Sequence, residues 1–165
     1  MIGLVSFAVA LLASLTLTIP VRKFALRVGM VDQPGHRKIH VQPIPLLGGI
    51  AIYTAVLLAM LFFRGDETLA QILAILAGAT LVVATGTLDD RGLLHHQVKL
   101  FVAMPIAAAI LLASGIHARV FSVLWPGAAG SFADAALTVI WITGITASFS
   151  ILDYMDGLCA GIAAV

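Results

Sequence analysis

The chain has 165 residues, of which 61% are hydrophobic and only 10% charged, with a formal net charge of +1. Soluble domains run near about 25% charged and 45–50% apolar, and the mean hydropathy here is +1.11, so a soluble globular protein, a disordered chain and a nucleic-acid binder are excluded. A single cysteine, Cys159, excludes an internal disulfide framework.

Stretches without charge set the organisation. Residues 1–21 contain no Asp, Glu, Lys or Arg, and further gaps run over 39–63 (apolar from Ile44), 68–88, 100–118 and 135–152. A spanning helix needs roughly 17–25 mostly apolar residues, and all five gaps fit. No alternation of polar and apolar positions suggests barrel strands. The expected fold is therefore all-α: one integral membrane domain over 1–165, a polytopic bundle of five transmembrane spans with the start of a sixth at Gly157–Val165. The first segment reads as a retained helix rather than a signal peptide. No positive side chain precedes its apolar run, and Arg22, Lys23 and Arg27 follow it.

Orientation follows from Lys and Arg in short loops. Seven of the nine lie on one side, in the segments near 22–43 and 89–99, and only Arg64 and Arg119 lie on the other. The richer side is expected to be cytoplasmic, with the N-terminus outside and the fifth span returning to the cytoplasm at Asp153. Ile116–Asp134 reads as an external loop, with Phe121, Trp125 and Phe132 as interfacial anchors.

Of the eight carboxylates, Asp66, Glu67 and Asp134 are expected in external loops, needing only solvation, and Asp32 in a turn. The other four form two pairs. Asp89 and Asp90 end the third span; Asp153 and Asp156, three apart and so on one helix face, end the fifth. Both pairs fall at the cytoplasmic membrane edge, where like charges gathered in a costly environment call for water, a basic partner or a cation. Solvated helix ends are one reading. The other is a hard-cation site: Mg²⁺ takes one or two protein carboxylates and completes its shell with water and phosphate.

Gly35-His36-Arg37-Lys38-Ile39-His40 gives the complementary signal, fixed positive charge beside the membrane. It suits either orientation and lipid headgroups or a phosphate-rich substrate. Lys99 opens the fourth span and either joins that group or snorkels. His95 and His96 read as interfacial polar residues, Cys159 as a small buried hydrophobe. Prolines 43 and 45 open the second span, and Gly48-Gly49 is expected to permit close backbone packing.

Together these residues resemble a family. Val31–Ile50 (VDQPGHRKIHVQPIPLLGGI), Leu88–Leu100 (LDDRGLLHHQVKL) and Leu152–Gly161 (LDYMDGLCAG) are similar, in order, to the three cytoplasmic motifs of the polyprenyl-phosphate N-acetylhexosamine-1-phosphate transferases. The resemblance covers essentially the whole chain and looks closer to the N-acetylglucosamine branch than to the muramoyl-pentapeptide branch. It implies a multi-pass inner-membrane enzyme, active on the cytoplasmic face in cell-envelope polysaccharide synthesis. Such an enzyme moves a sugar-1-phosphate from a UDP-N-acetylhexosamine to a polyprenyl phosphate lipid, releases UMP, and uses Mg²⁺ or Mn²⁺. It implies that Asp89, Asp90, Asp153 and Asp156 are catalytic and metal-binding, and that Arg37, Lys38, His40 and Lys99 bind substrate phosphates.

The family usually has asparagines where Ala147 and Ser150 stand, and it continues beyond the point matching Val165 with more helices, a later acidic motif that includes a metal ligand, and a His- or Arg-rich loop. The chain is thus expected to be the N-terminal part of such an enzyme. The rivals are a non-catalytic truncated subunit and a transporter fragment, the latter disfavoured because the five spans carry no charge at their centres. A homodimer is compatible with the sequence.

Overall fold

The computed structural model describes residues 2–33, 43–63, 68–152 and 157–164. Apart from two short strands, the regular structure is helical, and the chain divides into two compact units, Met1–His95 and His96–Val165.

In the first unit, α1 (Ile2–Val28) continues a full turn past its first positive residues. Arginine and lysine are good helix formers, so charge alone does not end it. Gly29 does, at φ 74°, with the Met30 amide donating back to the Ala25 carbonyl at 2.9 Å, a glycine-terminated helix end. The turn seats Met30 against Ala25 and Leu47 in a small buried cluster. Two short antiparallel strands follow, β1 (Val31–Asp32) and β2 (Ile44–Pro45), with Val31 opposite Pro45 and Asp32 opposite Ile44. Asp32 is therefore in a strand rather than a turn. Pro45 is tolerated because the pair is all edge.

Helix α2 (Gly48–Phe62) packs on α1 through Ala51, Ala55 and Ala59, an i, i+4 stripe of small buried residues. The expected close approach at Gly48-Gly49 is absent: a Cβ at either would meet nothing within 4 Å among the described residues. Helix α3 (Leu69–Asp90) starts at a capping box, the Thr68 hydroxyl accepting from the Gln71 amide while the Gln71 side chain accepts from the Thr68 amide. It is tied to α2 by a 2.6 Å hydrogen bond between the Tyr53 and Thr80 hydroxyls.

In the second unit, α4 (His96–Val98) runs into a π-helical turn, Lys99–Ala103, and then α5 (Met104–Ala113). Pro105 accounts for the wide turn. It has no amide to donate to Phe101, and its ring would crowd the Phe101 carbonyl in a regular helix. The short α6 (Phe121–Leu124) and the long α7 (Ala128–Ile151) follow, both α5 and α6 packing on α7, and α8 (Leu158–Ala163) ends the described chain.

Among the described residues three helices, α1, α3 and α7, are long and apolar enough to cross a membrane. Their large side chains are extensively exposed, as at Leu4, Phe7, Leu73, Ile140 and Trp141, which suits lipid rather than water as the surrounding solvent. The fold is that of a helical membrane protein. The two other expected spans are helices of 15 residues, Gly48–Phe62 and Lys99–Ala113. At 1.5 Å per residue these are about 22 Å long, against about 30 Å of hydrocarbon, so among the described residues three of the five expected spans reach full length. Pro43 and Pro45 divert the start of one gap into the strand pair, and the break at Ser114 and Gly115 shortens the other.

The 116–134 region is likewise not a simple loop. α7 begins at Ala128, so Asp134 lies inside a helix and is 1% exposed. Its carboxylate accepts the amides of Val120 (2.9 Å), Phe121 (2.7 Å) and Ser122 (3.1 Å), as well as the Ser122 hydroxyl. One turn on, the Thr138 hydroxyl accepts the Ala118 amide at 3.0 Å. Asp134 is thus a remote N-cap that satisfies the orphan donors of α6. Phe121 and Trp125 stack with ring centroids 6.5 Å apart, and Trp125 and Phe132 stay exposed as anchoring side chains would. Cys159 is half-buried, its Sγ 4.0 Å from the Phe149 carbonyl.

Candidate active site

Two of the eight expected site residues, Asp89 and Asp90, are the last residues of α3, with Asp89 half-buried and Asp90 exposed. The helix closes just beyond them: the Gly92 amide donates to the Asp89 carbonyl at 2.7 Å and the Leu93 amide to the Leu88 carbonyl at 3.0 Å. Gly92, at φ 69°, supplies the left-handed residue this motif needs.

The carboxylates therefore sit at the negative end of the helix dipole, where acidic side chains are destabilising and basic ones favoured. Local rules of this kind are broken at functional or strained sites. The negative end of a helix favours positive charge.

Asp90 and Arg91 line a cleft of about 480 Å³ whose other walls are Val28, Gly29, Met30, Val31 and Leu46. The cleft thus lies between the acidic end of α3 and the strand stem from which the basic segment departs. The Leu46 amide holds that stem to the Met30 carbonyl at 3.0 Å. Arg37, Lys38 and His40, on the basic segment, lie outside the described residues, as do Asp153 and Asp156.

In the second unit, Lys99 is half-buried at the π-helical turn. Its ammonium donates to Ser150 Oγ at 3.1 Å, one helical residue before the end of α7. Ser150, one of the two positions where asparagine was expected, thus does serve Lys99, with the hydroxyl as acceptor.

Three side chains that line the cleft or contact the expected site residues had no chemical role in the sequence reading. Arg91 was counted only toward orientation, although a cation directly following two carboxylates was a usable signal. Met30 and the role of Ser150 depend on contacts of high sequence separation and left no local signal.

The donor chemistry fits a hard divalent cation. Carboxylate oxygens, such as those of Asp90 on the polar cleft, are the ligand type Mg²⁺ uses, and it needs only one or two from the protein. Successive helix positions diverge by about 100°, so the adjacent pair need not act on one side of the cleft. Among the described residues no group of three His, Cys, Asp or Glu side chains gathers.

A helical membrane protein with paired carboxylates ending a helix at a polar cleft is the class that fold and site define. The comparisons are more specific. The family model described as Glycosyl transferase family 4 matches residues 72–165, and the chain belongs to that family. It is 36% identical over 163 residues to a probable undecaprenyl-phosphate N-acetylglucosaminyl 1-phosphate transferase of Bacillus subtilis (strain 168), covering 98% of this chain and 45% of the relative.

It is 31% identical to an undecaprenyl-phosphate alpha-N-acetylglucosaminyl 1-phosphate transferase of Yersinia pestis, covering 87% of this chain and 40% of the relative. It is also 31% identical to a decaprenyl-phosphate N-acetylglucosaminephosphotransferase of Mycolicibacterium smegmatis, covering 86% and 37% respectively. The chain spans less than half the length of these relatives. No solved structure matches it.

Proposed function

We propose that this chain carries part of the catalytic machinery of an enzyme that transfers N-acetylglucosamine-1-phosphate from its UDP-sugar to a polyprenyl phosphate at the cytoplasmic membrane face. What supports the reading is family membership together with one observation: two carboxylates end α3, and the second of them, Asp90, lines a cleft walled by the stem of the basic segment.

In the reaction an oxygen of the lipid phosphate attacks the β-phosphorus of the UDP-sugar. The bond from that phosphorus to the bridging oxygen breaks, UMP leaves with the bond's electrons, and the sugar becomes joined to the lipid through a diphosphate. Phosphate monoesters have a second pKa near 6, so the attacking oxygen is already largely ionised and needs no strong base. Bound at the carboxylates, Mg²⁺ or Mn²⁺ supplies charge compensation to the diphosphate.

Asp89 and Asp90 hold that charge at the end of α3, and Asp153 and Asp156 take the same role by resemblance. Arg37, Lys38, His40 and Lys99 bind and orient phosphate oxygens, Lys99 from the position Ser150 gives it. Polarity dictates the location: one substrate is anchored in lipid and the other dissolved in water, so the site must lie at the boundary.

The test is UMP release by membranes carrying the complete gene product, given labelled UDP-N-acetylglucosamine and polyprenyl phosphate. Release that requires both the acceptor and a divalent cation is the expected result. Absence of release with the acceptor and Mg²⁺ present would overturn the assignment.

A further inference from the structure

The cleft beside Asp90 holds one cation that the sequence assigned no chemistry. Arg91 is fixed by its backbone and its side chain together. It caps α3 at φ −82°, ψ −5°, directly before Gly92 and Leu93, whose amides close the helix end. Its Nε lies in contact with Met30 Sδ, the acceptor that faces it. Met30 is only 4% exposed and belongs to the buried cluster with Ala25 and Leu47, so the sulfur is held in the core while Arg91 itself stays exposed.

A thioether is a weak, uncharged acceptor. It orients the guanidinium without neutralising it, and the charge cannot be lost by deprotonation. Among the described residues Arg91 donates through Nε alone, leaving its two terminal nitrogens as the fork that matches phosphate oxygens in a bidentate pair.

We propose that Arg91 is a phosphate-binding residue of this site and that Met30 is its positioning residue. The bound group is a phosphate oxygen pair of one of the two substrates, the nucleotide-sugar diphosphate or the lipid phosphate. The proposal rests on the functional reading above and deepens it. The competing account makes Arg91 a cation that complements the α3 dipole and no more. That account predicts a change in stability and none in substrate affinity, and it gives Met30 no part.

The experiment measures kcat and KM for both substrates, with thermal stability in detergent, for the complete gene product and for Arg91→Gln, Arg91→Lys, Met30→Leu and the Arg91→Gln/Met30→Leu pair. Loss of a charge-assisted pair corresponds to roughly a 10- to 100-fold effect. Arg91→Gln is expected to raise one KM by that factor while kcat changes less, and the substrate affected identifies which phosphate is held. Arg91→Lys keeps charge without the fork and is expected to recover little.

Met30→Leu conserves volume, removes the acceptor and should raise the same KM by a smaller factor, the double variant being no worse than Arg91→Gln alone. Unchanged KM values in Arg91→Gln, or parental behaviour of Arg91→Lys, would overturn the proposal while leaving the functional reading intact. A parent protein that releases no UMP would overturn both.

Discussion

Replacing Gly130 by alanine tests the packing of the second unit in a way that sets two known effects against each other. Glycine inside a helix is disfavoured against alanine by about 0.5–1 kcal/mol, so the exchange should stabilise α7 if nothing interfered. A Cβ at Gly130, however, would lie 2.2 Å from the Trp125 carbonyl oxygen and 3.0 Å from both the Phe121 carbonyl oxygen and the Ser122 Cα.

All three obstacles are backbone atoms of or next to α6. That helix is held in place by the Trp125 amide on the Phe121 carbonyl at 2.7 Å and by the Asp134 carboxylate on its first amides. Relief therefore requires α6 to shift on the order of 1 Å, and overpacking of this kind costs about 1–3 kcal/mol, occasionally more. Net destabilisation of about 2 kcal/mol is expected for Gly130→Ala.

Gly144, on the same helix, is the internal control, because a Cβ there meets nothing within 4 Å. Gly144→Ala should be neutral to slightly stabilising. Chains of this size shift by about 2–4 °C per kcal/mol, so thermal unfolding in detergent should show Gly130→Ala melting about 4–8 °C below the parent and Gly144→Ala at or slightly above it. Equal melting of the two variants would refute the close approach of α6 to α7.

Four further outcomes follow from the site and the fold. Asp89→Asn, Asp90→Asn, Asp153→Asn and Asp156→Asn in the complete gene product should each abolish UMP release; near-parental release in all four would remove the carboxylates from the mechanism. Chelation should stop release and added Mg²⁺ or Mn²⁺ restore it, read in the same assay. Lys99→Met should lower release by roughly 100-fold or more, the scale of losing one oriented charge at a transferring phosphate, with Ser150→Ala weaker and Ser150→Asn near parental. Asp134→Ala should lower the melting temperature more than Asp134→Asn, since the amide keeps one acceptor oxygen for Val120 and Phe121; the reverse order would contradict the remote-cap geometry.

The helical class was legible in composition alone, because 61% hydrophobic residues arranged in charge-free blocks leave few other solutions. The end of α3 was legible too. Asp89 and Asp90 were placed at the end of a span and lie there, the charge-free run giving out at Leu88 and the helix at Asp90. The start of the second span was not. Its prolines were read as opening the helix, but Ile44 and Pro45 form a strand that pairs with Val31–Asp32, partners 12 and 14 positions away that no local pattern encodes.

Asp134 misled for a related reason. A lone acid at the edge of an apolar run looks solvated, whereas its donors lie 12 to 14 residues earlier and are invisible to periodicity. Charge counting likewise recorded that Arg91 was present without showing that a buried sulfur holds it.

The wide turn at Lys99–Ala103 has an implication for how this segment tolerates change. A five-residue loop of backbone holds one residue more than regular winding would, so the Met104 amide reaches the Lys99 carbonyl. Deleting any one residue there would let the coil close normally, yet would swing the lysine about 100° around the axis and carry its ammonium away from Ser150. An apparent irregularity is therefore what aims the side chain, and a shorter, better-wound version of the same stretch would be a worse one.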